Sequence, residues 1–261
     1  MSILDEIFAH KRIEVTKLKH KVSVMDLETA IKNLPPPVNF ASALKGAANA
    51  TPRLIAEVKY RSPSKGILIP DFDPVGLART YAENGAAAIS VLTDEKCFGG
   101  SLEYLKSIAH LNLGIPLLRK DFIFDPYQLL EAREAGASAI LLIVAMLDPE
   151  QLRDLLTATK ELELEALVET HTREEVDQAL EAGASVIGVN NRDLHTFNVS
   201  LETSLALRSL IPDDLVMVAE SGVHSTEDVS RLSAAGVDAM LIGEGLVTAT
   251  DIGAKVRKFI Q

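Results

Sequence analysis

The sequence predicts an α/β fold, a single (β/α)8 TIM barrel with extra N-terminal helices, and three features carry that prediction. Short apolar or β-branched runs alternate with helical patterns from about Arg53 onward; eight such runs occur; and a Gly-Ala or Gly-Val pair recurs where helix gives way to strand. Alternation of this kind is the grammar of a parallel sheet, and eight strands suggest closure.

The strands are expected at residues 54–59, 87–93, 116–120, 139–144, 166–169, 186–190, 216–221 and 239–243. The helices between them open on Asp73-Pro74, Asp125-Pro126, Asp148-Pro149, Thr172 and Ser225, where a side-chain oxygen can accept from first-turn N–H groups and proline suits the first helical position. They close on Gly85, Gly136, Gly183 and Gly236, which recur about every two βα units, a quarter-barrel repeat. An open doubly wound sheet is the competing architecture. The first strand, however, exits through Tyr60-Arg61-Ser62-Pro63 and not through a glycine-rich fingerprint.

Ahead of the first strand, residues 3–19 and 25–33 carry helical periodicity, and Pro35-Pro36-Pro37 stops the second helix. Residues 1–50 are therefore expected to extend one barrel domain that spans 1–261. Such helices either seal the N-terminal mouth or cover the catalytic mouth against water, and the sequence does not choose between them.

Composition narrows the function. A chain of 261 residues that is 47% apolar suits one barrel domain. With 26 basic against 37 acidic residues the net charge is -11, which argues against nucleic acid and anionic membrane as partners and for a small molecule. No segment reaches the roughly 18 consecutive apolar residues of a bilayer span. The N-terminus lacks an apolar h-region and a small-residue cleavage site, so a cytoplasmic location is expected. Cys97 is the single cysteine, and His10, His20, His110, His171, His195 and His224 show no paired spacing. No metal site is expected, and each histidine reads as a surface or loop residue.

Barrel enzymes keep their chemistry at the C-terminal strand ends. Glu57 and Lys59 stand two apart on the first strand and so share a face; since Ala56 and Val58 suit the helix layer, the charged pair faces inward. Burial there is expensive unless they pair with each other or with a ligand. Lys120 ends the third strand, Glu169 the fifth and Asn190 the sixth. Each alone is an ordinary solvated strand end, but jointly they converge on one mouth. After the last two strands, Glu220-Ser221-Gly222 and Gly243-Glu244-Gly245 offer small residues and free amides, the form of a phosphate-binding loop pair. Gly222 and Gly243 are the expected close-approach positions, and Glu244 must turn its carboxylate away and contribute only its amide.

The run Ile55-Ala56-Glu57-Val58-Lys59-Tyr60-Arg61-Ser62-Pro63-Ser64-Lys65-Gly66 resembles the signature of indole-3-glycerol-phosphate synthases. The likeness continues through Val91-Leu92-Thr93-Asp94, Phe98-Gly99-Gly100-Ser101, Leu118-Arg119-Lys120-Asp121-Phe122 and Leu167-Val168-Glu169. It resumes at Gly188-Val189-Asn190-Asn191-Arg192-Asp193-Leu194, Ala219-Glu220-Ser221-Gly222 and Leu241-Ile242-Gly243. Cys97 departs from the aromatic residue common beside Phe98, and without Trp in the N-terminal helices, Phe8 is the candidate to cover the substrate.

The resemblance implies the substrate 1-(2-carboxyphenylamino)-1-deoxyribulose 5-phosphate, which is cyclised, decarboxylated and dehydrated to indole-3-glycerol phosphate. It also implies roles. Lys120 is the general acid at the ribulose carbonyl, with Lys59 as its alternate, and Glu169 is the base. Two lysines in one desolvated site are expected to depress each other's ammonium form. Glu57 positions Lys59, Asn190 holds a substrate hydroxyl, and Glu220 and Ser221 support the ribulose hydroxyls and the phosphate with Gly222, Gly243 and Glu244. Ser62 joins the substrate-binding residues, and Arg192 meets the substrate carboxylate. Phe98 and Phe122 lie about the anthranilate ring, although core filling is the commoner fate of Phe. Loss of carbon dioxide restores ring aromaticity, so no cofactor electron sink is called for.

Two other readings compete with this one. Phosphoribosylanthranilate isomerase, another barrel, would want Cys at the first strand end and Asp at the sixth. A non-catalytic phosphate-ligand binding subunit could spare Lys120 and Glu169.

Overall fold

The computed structural model describes residues 3–47, 50–63, 65–193, 196 and 198–261. Ser64, Leu194 and His195, which figure in the motifs and the histidine census, lie outside them.

Eight parallel strands close into a barrel: β1 (Arg53–Val58), β2 (Ala88–Leu92), β3 (Leu117–Lys120), β4 (Ala139–Ile143), β5 (Glu165–Thr170), β6 (Val186–Asn190), β7 (Val216–Glu220) and β8 (Ala239–Ile242). Closure is made where β1 pairs on one side with β2 and on the other with β8. Every expected strand is present. β1 and β5 begin one residue early, at Arg53 and Glu165, β2 and β3 begin one residue late, at Ala88 and Leu117, and β5 runs on to Thr170. The other differences sit at the exits, where Lys59, Thr93, Val144, Ser221 and Gly243 lie just past their strands. These are the positions where a chain must leave the sheet for a loop, and hydrophobic pattern does not mark that point.

Strand alternation sorts the side chains into two cores. Ala56, Val58, Ile89, Val91, Ile140, Leu142, Ile187, Val189 and Met217 pack outward against the helices. Ile55, Ala88, Leu118, Leu141, Leu167, Val186, Val218 and Leu241 fill the barrel interior. Glu57, flanked by outward Ala56 and Val58, is thereby turned inward.

All five anticipated helix starts are capped as expected. Asp73, Asp125, Asp148, Thr172 and Ser225 each accept from N–H groups in the first turn of the following helix. The glycines closing the helices hold left-handed backbone, with φ of 95° at Gly85, 85° at Gly136, 84° at Gly183 and 77° at Gly236.

The N-terminal extension does both things that the sequence left open. Helix α1 (Ile3–Lys21) crosses the C-terminal mouth: Ile7 packs against the interior cluster, and Lys11 reaches the strand exits at Asp94 and Asp121. Helix α2 (Val24–Ile31) seats Leu27 beside Tyr127 and Leu130 on the outer helix Pro126–Glu134. A third helix that periodicity did not reveal, α3 (Phe40–Leu44), plugs the opposite mouth. Its Phe40 and Leu44 enter the interior core, and the Glu165 carboxylate at the start of β5 accepts from the N–H groups of Phe40 and Ala41. Lys45 follows with bonds to the carbonyls of Asp213 and Leu215 and an ion pair to Asp238. At five residues, α3 is too short for a period of 3.6 to be legible. Among the described residues, no helix is long and apolar enough to cross a membrane.

Candidate active site

The charged strand ends meet at the mouth beneath α1. Lys120 Nζ lies 3.9 Å from Glu169 Oε2 and 3.7 Å from Glu220 Oε2. Asn190 Nδ2 donates to Glu169 Oε1 at 3.1 Å, so β3, β5, β6 and β7 contribute to one cluster. From β1, Glu57 Oε2 pairs with Lys59 Nζ at 3.3 Å. The Lys59 ammonium also stands 5.3 Å above the Phe98 ring, and Phe98 stacks on Phe122 with centroids 6.3 Å apart. A cationic group and an aromatic wall therefore share one edge of the mouth.

Two missing side chains make room for the carboxylates. Gly188 pairs with Glu169 in the β5–β6 register, and a Cβ built there would collide with Glu220 Oε1. Gly243, just past β8, stands in the same relation to Glu57 Oε2. In each case the absence of a methyl group permits an acidic side chain to lie across the barrel floor.

Electrostatics decides the protonation states. Glu220 is 1% exposed; burial first, and repulsion from Glu169 and Glu57, push its carboxyl up to about 8, although Lys120 opposes the shift. Burial alone would lower Lys120. The surrounding carboxylates of Glu220, Glu169 and Glu57 outweigh it and hold the ammonium above the ordinary lysine value. The expectation that Lys59 and Lys120 would together depress an ammonium is corrected here: three carboxylates surround Lys120, and attraction exceeds the repulsion of one neighbouring cation.

The phosphate-loop candidates lie at the exits of β7 and β8. Glu220 is the last residue of its strand and turns inward, whereas Ser221 takes a left-handed φ of 63° and Gly222 follows at 81°. The two adjacent side chains thus escape strict alternation, as an irregular strand end requires. Ser221 is fixed by its carbonyl, which accepts from Asn191 Nδ2 at 3.0 Å. Glu244 turns its carboxylate to Lys65 Nζ at 2.5 Å, which neutralises a charge that would otherwise oppose an anion. Ser62 is buried, with its hydroxyl accepting from the Lys65 N–H at 3.1 Å in a short hairpin after β1. Arg192 joins the cluster through its backbone, donating its N–H to Asn190 Oδ1 at 3.0 Å.

Three residues depart from the sequence reading. Phe8 does not face the aromatic wall; it packs edge-to-face on Phe124 with Arg12 over its ring, and Ile7 is the α1 side chain against the interior. His171 lies in a loop, one of the two places expected for it, but not at the surface. Its side chain is 11% exposed, with Nε2 3.4 Å from Glu169 Oε1. Lys11, with a side chain only 1% exposed, is a functional-site neighbour that the sequence does not mark. Strand parity could have found His171, since it stands two residues beyond Glu169 on the same face. Lys11 left no signal, because a lysine on an amphipathic helix reads as solvated.

The family model described as indole-3-glycerol phosphate synthase matches residues 4–259. The indole-3-glycerol phosphate synthase of Dehalococcoides mccartyi is 50% identical over 261 residues, covering 99% of this chain and 100% of that protein. That of a Roseiflexus species is 51% identical over 264 residues, covering 98% and 97%. Among solved structures, 3-hexulose-6-phosphate synthase from Salmonella typhimurium superposes with a TM-score of 0.65 at 15% identity, covering 79% of this chain and 96% of that one. At such identity the likeness concerns the barrel alone.

Proposed function

This chain belongs to the indole-3-glycerol phosphate synthase family, and from that premise we propose that it is a carboxy-lyase of tryptophan biosynthesis. It converts 1-(2-carboxyphenylamino)-1-deoxyribulose 5-phosphate to indole-3-glycerol phosphate, carbon dioxide and water, with Lys120 as general acid and Glu169 as general base. The observation that carries this assignment is the 3.9 Å approach of Lys120 to Glu169 across one mouth. A single small molecule can touch both.

Ring closure puts negative charge on the ribulose carbonyl oxygen as the anthranilate ring carbon attacks. The Lys120 ammonium meets that charge and supplies its proton. Its carboxylate neighbours keep it charged until substrate arrives. Decarboxylation restores aromaticity to the six-membered ring. Dehydration then needs a base near the ring amine, the role of Glu169, and an acid for the departing hydroxyl, for which Lys59 is placed by Glu57. Glu220, buried beside Lys120, accepts from a ribulose hydroxyl. Asn190 holds another hydroxyl. Ser221, Gly222, Gly243 and the Glu244 amide receive the phosphate, Arg192 and Ser62 the rest of the substrate, and Phe98 with Phe122 flank the anthranilate ring.

The direct test is product formation by the purified chain with synthetic substrate. The protein has no Trp, so indole fluorescence rises over a low background. Saturable product formation is expected; binding without turnover would overturn the enzymatic reading and favour a ligand-binding subunit.

A further inference from the structure

Glu169 must lose the proton it takes before it can act again, and its neighbours differ in their capacity to accept one. Lys120 is an ammonium and Asn190 presents its NH2 group; both are donors. His171 Nε2 stands 3.4 Å from Glu169 Oε1. That nitrogen is buried and has no hydrogen-bond partner. The opposite ring nitrogen, Nδ1, lies 3.2 Å from Glu175 Oε2, and the same carboxylate oxygen accepts from the His171 backbone N–H at 2.6 Å. Glu175 stands in the first turn of the helix Arg173–Glu181 and is 21% exposed, so the chain of groups runs from the buried base toward solvent.

We propose that His171 is a positioning residue for Glu169: neutral, with its proton on Nδ1 toward Glu175, it presents a bare Nε2 that takes over the proton Glu169 has removed from substrate. In that step the Glu169 O–H bond breaks as the Nε2–H bond forms, which leaves a carboxylate beside an imidazolium. After product departs, Nε2 returns the proton to water entering the mouth, while Nδ1–H stays on Glu175. No other reactant is consumed. This inference rests on Glu169 being the base.

The arrangement predicts a pH dependence. Glu169 from β5, Glu175 from the helix Arg173–Glu181 and Glu220 from β7 all face the ring. Burial alone would lower the imidazole, but these carboxylates outweigh it and raise it above its ordinary value of 6.5. Below that raised value Nε2 already carries a proton and cannot accept another, so kcat falls on the acid side.

The experiment compares kcat and KM against pH for wild type, His171→Asn, Glu175→Gln and Glu169→Gln, with folding followed by circular dichroism. His171→Asn is expected to abolish the acid limb and to lower kcat at neutral pH by roughly tenfold, less than the loss of a direct acid–base group, with KM within about twofold. Glu175→Gln removes a charge that favours imidazolium and should move the limb to lower pH. It decides alone if His171→Asn fails to fold. Should folded His171 and Glu175 variants keep the wild-type limb while Glu169→Gln is inactive, the relay is wrong and the base assignment stands. Full turnover by Glu169→Gln would remove both.

Discussion

Lys11 Nζ lies 2.9 Å from Asp121 Oδ1 and 2.8 Å from Asp94 Oδ1, which ties α1 to the two strand exits beside Phe98 and Lys120. Both carboxylates are already engaged: Asp94 accepts from the Cys97 N–H at 2.7 Å, and Asp121 from the Thr93 hydroxyl at 2.7 Å. Lys11 therefore completes a buried network that also orders the loops under the helix. Lys11→Met leaves two buried carboxylates with less compensation, and a loss of about 3 kcal/mol or more is expected in urea unfolding. Hydrogen exchange should rise first in α1. Unchanged protection there would mean that the helix is held by apolar packing alone.

Lys120→Ala removes a donor that matters most when charge develops on the substrate. Turnover should drop by about 10²- to 10⁴-fold while substrate still binds, as measured by steady-state kinetics beside equilibrium titration. An unaltered kcat refutes the acid role.

Glu169→Gln keeps the shape and removes the base. A decarboxylated, still hydroxylated ring intermediate should accumulate, visible by mass spectrometry of quenched reactions. Accumulation of uncyclised substrate alone would instead assign Glu169 to the first step.

Glu220 carries a folded-state value raised to about 8 from 4.5. A carboxyl raised on folding favours the native state most fully below its unfolded value, and that contribution is lost as pH rises from 4.5 through about 8. Glu220→Gln should flatten this part of the stability profile, with its melting temperature gaining on wild type between pH 5 and pH 9. Parallel profiles would show that Lys120 keeps Glu220 ionised throughout.

Gly243→Ala places a methyl group where the Glu57 carboxylate now lies, and Glu57 is only 4% exposed, with little space for retreat. Displacing Glu57 misplaces Lys59, and a shift of about 1 Å at a reacting group can cost about 10²-fold in kcat. The kinetic loss should exceed any change in melting temperature. Wild-type kcat would show that Glu57 has another resting place.

Much of this protein was legible in its residue order. Strand and helix periods are local properties, so the eight strands, the Asp-Pro, Thr and Ser caps and the glycine stops all appear in the structure. The inward turn of Glu57 followed from alternation with Ala56 and Val58. What tertiary structure decided is everything that depends on distance across the barrel. The raised Glu220 carboxyl arises from burial among groups 51 and 163 positions away in Glu169 and Glu57 (220 − 169 and 220 − 57), and no local pattern encodes that sum. The same holds for Lys11, whose helical surroundings look solvated until the strand exits of β2 and β3 bring Asp94 and Asp121 beneath it. Periodicity reports which way a side chain faces; only closure of the sheet determines what charge it meets there.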